Sequence, residues 1–191
     1  SLISKYMTAQ GYYLSPHTKT PHSLDSFVYD YTNAAGMKDN IKIEINYSLR
    51  SHVLPVKQMG FATETFASDF QVTTVSPIEI YASKTVALLT RAAARDLYDL
   101  NYMIRYGLFD EEERELYRKC VVFYLAVATQ TPPTEISFSA IDTITTHKIH
   151  TDLYPVIRDK DSFELDMAKK TVINFLSDNL KLSEKEAQFL N

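Results

Sequence analysis

The sequence predicts an α+β fold in which a small sheet with helices comes first and a helical C-terminal part follows. Two stretches, FVYDYTN (27–33) and NIKIEINYS (40–48), alternate apolar and polar residues and are rich in β-branched and aromatic side chains, the pattern of half-buried strands. From Ser76-Pro77 onward the period turns helical and stays so. Strands first and helices afterwards argue for segregated layers. The expected division lies near residue 90, with an α/β core over 1–90 and a helical domain over 91–191.

Each element has its own signal. Residues 1–10 (SLISKYMTAQ) read as a helix stopped by Gly11. Residues 12–26, rich in Ser, Thr, Pro and His, read as a loop. Ala35-Gly36 with Lys38-Asp39-Asn40 supplies a turn between the two strands. FQVTTV (70–75) is a third β-like stretch. Ser76 as N-cap, Pro77 at the first helical position and Glu79 in the first turn then start a helix that runs to Gly107, with a break possible at Ala92–Ala94. A second helix spans Asp110 to about Ala128, its first turn carrying Glu111, Glu112 and Glu113, and Thr131-Pro132-Pro133 breaks it. The segment 134–156 is ambiguous. Helices close the chain at about 162–179 and 183–190, the last opened by a Ser183/Glu186 capping box.

Composition excludes several functions. Formal net charge is −4, so the chain has no global attraction for nucleic acid or an anionic membrane, and any polyanion must be held by a local cluster of cations. No apolar run approaches the roughly 18 residues that span a bilayer, and no membrane partner is expected. One cysteine, Cys120, cannot form an internal disulfide, which fits a cytoplasmic setting. Four glycines leave no glycine-rich phosphate loop within these residues.

Chemistry concentrates in two places. On a continuous helix at about 100° per residue, Lys84, Arg91, Arg95 and Asp99 fall within a sector of roughly 80°. Apart from Arg95–Asp99, these cations have few acids at i±4. Unpaired cations on one face suit a polyanion such as a triphosphate. A break at Ala92–Ala94 would bring Asp96 round as well. The plain alternative is an Arg95–Asp99 surface ion pair with Lys84 solvated. The second place is the strand 41–50. Ile41, Ile43, Ile45 and Tyr47 point one way, and Lys42, Glu44 and Asn46 the other. A mid-strand carboxylate beside others can hold a divalent metal, although a glutamate on the wet face of a strand is common.

Together these residues resemble the AbiEii/AbiGii toxin family. The resemblance rests on Lys42-Ile43-Glu44-Ile45 with Arg50, followed by Ala82, Lys84, Ala87, Arg91, Arg95, Asp96, Asp99 and Leu100. It continues through Tyr154-Pro155-Val156-Ile157-Arg158, Phe163-Glu164-Leu165-Asp166 and Leu182 to Leu190. It implies a partial nucleotidyltransferase-type mixed or antiparallel sheet of the DNA polymerase β superfamily. It also implies a toxin of a toxin–antitoxin or abortive phage-infection system that moves a nucleotide from a nucleoside triphosphate to an acceptor, with Mg²⁺ as cofactor. The acceptor is tRNA for some members, and a cognate antitoxin is an expected partner. Carried over residue by residue, Glu44 matches the strand-borne metal carboxylate and Lys84 the lysine near the triphosphate. Arg95, Asp96 and Asp99 match the R-D-x-x-D motif, with Arg91 and Arg95 joining Lys84 as phosphate contacts. The expected catalytic set is therefore Glu44, Lys84, Asp96 and Asp99.

One departure qualifies this. The family's Gly-Gly/Ser–Thr turn with an Asp-x-Asp pair has no counterpart here, and Asp25 and Asp30 are not spaced as one. Such chemistry needs clustered carboxylates for its metal ions. The expectation is that this segment precedes Ser1 and that these residues alone show little or no catalysis. The competing expectation is a non-catalytic module that binds nucleotide, RNA or antitoxin. Among other candidates, His147 and His150 lack a third nearby ligand and read as a surface pair. The tyrosines, including Tyr12, Tyr13, Tyr29, Tyr31 and Tyr47, could stack bases but more simply fill a sheet core and its edges.

Overall fold

A computed structural model describes residues 1–18, 24–47, 52–60, 70–107, 109–128, 135–158 and 163–190. Arg50 and Thr131–Pro133 lie outside the described residues. The α+β reading holds: helices dominate, and the strands form small antiparallel sheets. The chain divides into two compact units, Ser1–His52 and Val53–Asn191.

The first unit opens with α1 (Leu2–Ala9), where the Ser1 hydroxyl accepts the Ser4 N–H at 3.2 Å and Gly11 (φ 84°) ends the helix in the left-handed region that glycine tolerates. Three antiparallel strands follow in the order β1 (Tyr13–Leu14), β2 (Leu24–Thr32) and β3 (Lys38–Asn46). The β2–β3 register sets Ser26 opposite Glu44. At the turn, Asn33 Oδ1 accepts the N–H groups of Ala35 and Met37, each at 3.0 Å, which folds the hairpin tightly. The loop expected over 12–26 is corrected here: it contains β1 and the start of β2. Two residues are too short to show a period, and β1 owes its geometry to pairing with β2. Tyr29 is fully buried, and its hydroxyl donates to Ser4 Oγ at 3.1 Å.

The second unit begins with the hairpin β4 (Lys57–Gly60) and β5 (Gln71–Thr74). β4 has no signature in the sequence because all four of its residues are exposed, so no face selects an apolar alternation. The helices are α2 (Pro77–Arg91), α3 (Ala94–Arg105), α4 (Glu111–Ala128), α5 (Ser139–Asp142), α6 (Thr146–Lys148), α7 (Leu165–Asn179) and α8 (Glu184–Leu190), with a π-helix at Ile149–Leu153. Two of them start on capping boxes. Asp110 Oδ1 accepts the Glu113 N–H at 2.9 Å while Glu113 accepts the Asp110 N–H at 3.2 Å, and Ser183 and Glu186 exchange the same contacts.

Helix α2 packs on α4, and α3 on α7, around a core that includes Leu88, Leu97, Leu100, Tyr117, Ile141, Leu153, Val172 and Leu176. The boundary between the compact units falls between His52 and Val53, and residue 90 lies within the second. The polar part of the α2–α4 seam explains this. Thr85 and Tyr117 share a buried hydroxyl–hydroxyl bond, and Tyr124 donates to Glu79.

Candidate functional site

The site is built on the corner between α2 and α3. The helical period continues through TRAAARD, but the helix does not. Ala92 adopts the left-handed conformation (φ 49°, ψ 51°) with its N–H still on the Leu88 carbonyl, and Ala93 is extended. The break foreseen at Ala92–Ala94 is real, and α3 folds back beside α2.

That fold-back rearranges the charges. Lys84 is ion-paired with Asp99 across the two helices. Arg91 grips Asp96 in a fork, Nε to Oδ2 and Nη2 to Oδ1, both at 2.8 Å. Lys84 and Arg91 lie two turns apart on α2, and Asp96 and Asp99 one turn apart on α3. The two ion pairs are therefore rungs between antiparallel helices. The continuous stripe of unpaired cations is corrected accordingly: Lys84 and Arg91 each have a carboxylate, because the corner turns the second helix back on the first. Arg95 does not pair with Asp99. Its Nε donates to the Asp152 carbonyl at 2.8 Å, in the π-helix.

The rungs differ in burial. The Asp96 side chain is 5% exposed while Arg91 is 65% exposed, so a guanidinium reaching in from solvent covers a nearly buried carboxylate. The Asp96 hydrogen bonds push the Arg91 guanidinium still further up. Lys84 and Asp99 are 37% and 34% exposed, open enough to meet a ligand. Tyr81, one turn before Lys84, lines this rung. Burial first, and then the charge of Asp99, push its phenol up against the opposing effect of Lys84. Sequence reasoning passed over Tyr81, although its i, i+3 spacing from Lys84 places it on the same face.

Glu44 lies on β3 with its side chain 44% exposed, and Lys42 on the same face pairs with it at 2.7 Å. Among the described residues no three His, Cys, Asp or Glu side chains cluster so as to hold a metal. The donor set for a divalent ion is thus incomplete among those residues. His147 and His150 are exposed, and His150 sits edge-on to Tyr154 at 4.9 Å. Of the tyrosines, Tyr29 is core, Tyr47 donates to Asp25 at 2.8 Å, and Tyr12 packs on Tyr31 at 5.1 Å. A cleft of about 730 Å³ is lined by Tyr12, Tyr31, Asp39 and neighbours, and none of the expected site residues line it.

Glu79, read from sequence as a helix-dipole acid, is 1% exposed. Its carboxylate accepts the N–H groups of Val53 (3.0 Å) and Leu54 (3.1 Å) and the Tyr124 hydroxyl. The signal was present: Glu79 shares an i, i+3, i+7 face with Ala82 and Val86.

An α+β chain whose helical corner pairs lysine and arginine with two motif aspartates belongs to a recognisable class. The model of the nucleotidyl transferase AbiEii toxin family, of type IV toxin–antitoxin systems, matches residues 12–180. The chain belongs to that family. Comparison with curated proteins and with solved structures gives no match. No helix among the described residues is long and apolar enough to cross a membrane.

Proposed function

We propose that the protein transfers a nucleotide from a nucleoside triphosphate to a polynucleotide acceptor such as tRNA, with the α2–α3 rungs binding the triphosphate. The observation that carries this reading is the Lys84–Asp99 pair, a partly open cation on a helix held in place by its family motif. In the reaction an acceptor hydroxyl attacks the α-phosphorus, a new P–O bond forms, and the bond to the β-phosphate oxygen breaks to release pyrophosphate. Charge grows on the leaving group. Lys84 exchanges Asp99 for that charge and neutralises it. Asp99, left open, faces the acceptor. Asp96 stays on Arg91 and orients it. Mg²⁺ dependence belongs to this reading, with Glu44 as these residues' contribution to the ion.

A second reading, a non-catalytic nucleotide-, RNA- or antitoxin-binding module, is favoured by one observation: Glu44 is paired with Lys42, and no three-acid cluster accompanies it among the described residues. The deciding experiment follows incorporation of each labelled triphosphate into an RNA pool containing tRNA, with Mg²⁺ or chelator. It compares the 191-residue chain with the translation product of its full coding sequence. Transfer by the full product, lowered roughly 100-fold or more by Lys84→Ala and Asp96→Ala, supports the enzyme. Incorporation undiminished in both variants overturns the site assignment. Nucleotide or RNA binding without transfer selects the second reading.

A further inference from the structure

We infer that the α2–α3 corner is a phosphate-binding site completed from a distant segment, with Lys148 as a cation beside Arg95. Two contacts tie this corner to the segment 148–152. Lys148 Nζ lies 3.5 Å from the Ala92 carbonyl, and Arg95 Nε donates to the Asp152 carbonyl at 2.8 Å. Both partners are neutral carbonyls. Among the described residues neither cation has a carboxylate within ion-pair distance. The Asp152 carboxylate accepts the Thr151 hydroxyl at 2.7 Å instead. The Lys84 and Arg91 charges are paired with Asp99 and Asp96, so among the described residues the cations of this corner without an ion pair are Arg95 and Lys148, with Asp152 the acid of the same segment. A chain of net charge −4 here carries the local pair of cations that a polyanion requires.

The local fold shows how the segment is shaped for this. The Tyr154 N–H reaches back five residues to the Ile149 carbonyl at 3.0 Å, which is the π-turn. The Leu153 carbonyl takes the N–H groups of Val156 (2.9 Å) and Ile157 (3.3 Å). The Asp152 carbonyl is left to Arg95. Single π-turns are frequent at functional sites. An exposed guanidinium fixed on the Asp152 carbonyl, and an ammonium held on the Ala92 carbonyl of the same corner with N–H groups to spare, are suited to the oxygens of a polyphosphate.

The site rests on the nucleotidyl-transfer reading only for the origin of its ligand, the phosphates of a nucleoside triphosphate. The test measures binding of inorganic tripolyphosphate to the 191-residue chain, beside an unphosphorylated single-stranded oligonucleotide. Lys148→Ala and Arg95→Ala each weaken tripolyphosphate binding roughly tenfold, as expected for loss of one charge-assisted hydrogen bond. Lys148→Gln, which keeps a donor for the Ala92 carbonyl but no charge, weakens it equally and guards against misfolding of the alanine variant. Lys148→Arg restores it. Lys119→Ala, at an exposed residue paired with Glu115, leaves it unchanged. Wild-type affinity in Lys148→Gln, or no tripolyphosphate binding by the wild type, overturns the site. Lys148-dependent binding of the oligonucleotide but not of tripolyphosphate overturns the assignment to a triphosphate. Tripolyphosphate binding that depends on Lys148, with no nucleotide transfer by any form, keeps the site and removes the parent reading. Transfer indifferent to Lys148→Gln does the reverse.

Discussion

Two carboxylates three residues apart on one helix face have unequal surroundings, and that inequality separates stability from chemistry. Asp96 is almost sealed from water, whereas Asp99 is one-third open. Arg91, itself 65% exposed, covers that carboxylate, so Arg91→Ala leaves Asp96 without its fork and costs roughly 1–3 kcal/mol of stability. Removing Lys84 leaves an anion that water can reach, so Lys84→Ala costs less than about 1 kcal/mol. Urea denaturation of the two variants checks this; equal losses would contradict the burial difference. The corner residue gives a second prediction. Ala92 holds φ 49° with a Cβ that opposes it. Ala92→Gly relieves that cost and gives up a methyl and some chain stiffness, for a net gain of roughly 0.5 kcal/mol, or about 2 °C in Tm. A fall in Tm of several degrees would show that the methyl's packing outweighs the backbone term.

At the scale of elements, α8 (Glu184–Leu190) is joined to α4 by an ion pair, and the same glutamate closes its capping box. Glu186 accepts from Arg118 on α4 and from the Ser183 N–H (2.8 Å) and hydroxyl (2.7 Å). Burial alone would raise its carboxyl. The Ser183 bonds and the Arg118 charge outweigh burial and leave it below the ordinary value of 4.5. A depressed carboxyl adds stability that is fully present above its unfolded value and is lost as pH falls through the folded one. Helix α8 should therefore undock as pH falls below about 4.5. Protection of the 184–190 amides, measured against the unfolded-chain exchange rate at the same pH, should fall there, and Glu186→Gln should lower it already at neutral pH and leave it insensitive to acid. An acid-insensitive α8 would refute this account. The same box illustrates what the sequence makes legible. Ser183 with Glu186, the Pro77 start and the Gly107 stop are local rules, and each element they mark is present. The Ala92 turn was readable only as a weakness in a run of alanines. Its consequence, Asp99 meeting Lys84 rather than Arg95, depends on helix packing that no local period encodes. β4 and β1 were illegible because neither buries a patterned face. The role of Lys148 was illegible because its contact with Ala92, like that of Arg95 with Asp152, spans more than fifty positions.

For the molecule as a whole, apolar burial is divided unequally between the two units. Among described residues, the buried hydrophobics of Ser1–His52 are Met7 and Tyr29, while the core cluster lies entirely in Val53–Asn191. A three-stranded sheet with so little enclosed surface is marginal, whereas helices around a continuous core unfold together. Cys120 supplies a probe of that core. It is fully buried on α4, and burial, aided by the charge of Glu79, pushes its thiol up to about 11. Only the thiolate reacts, so at pH 8 the folded protein should resist alkylation. Thiol exposure in urea should then track loss of the α2–α4 helices, while amides of β2 and β3 exchange at far lower denaturant. A fragment spanning 53–191 should keep a cooperative melt with Cys120 protected. If Cys120 were instead modified in native buffer at the rate of a free thiol, α4 would be opening on its own. The second unit would then not be the single cooperative block that its packing describes.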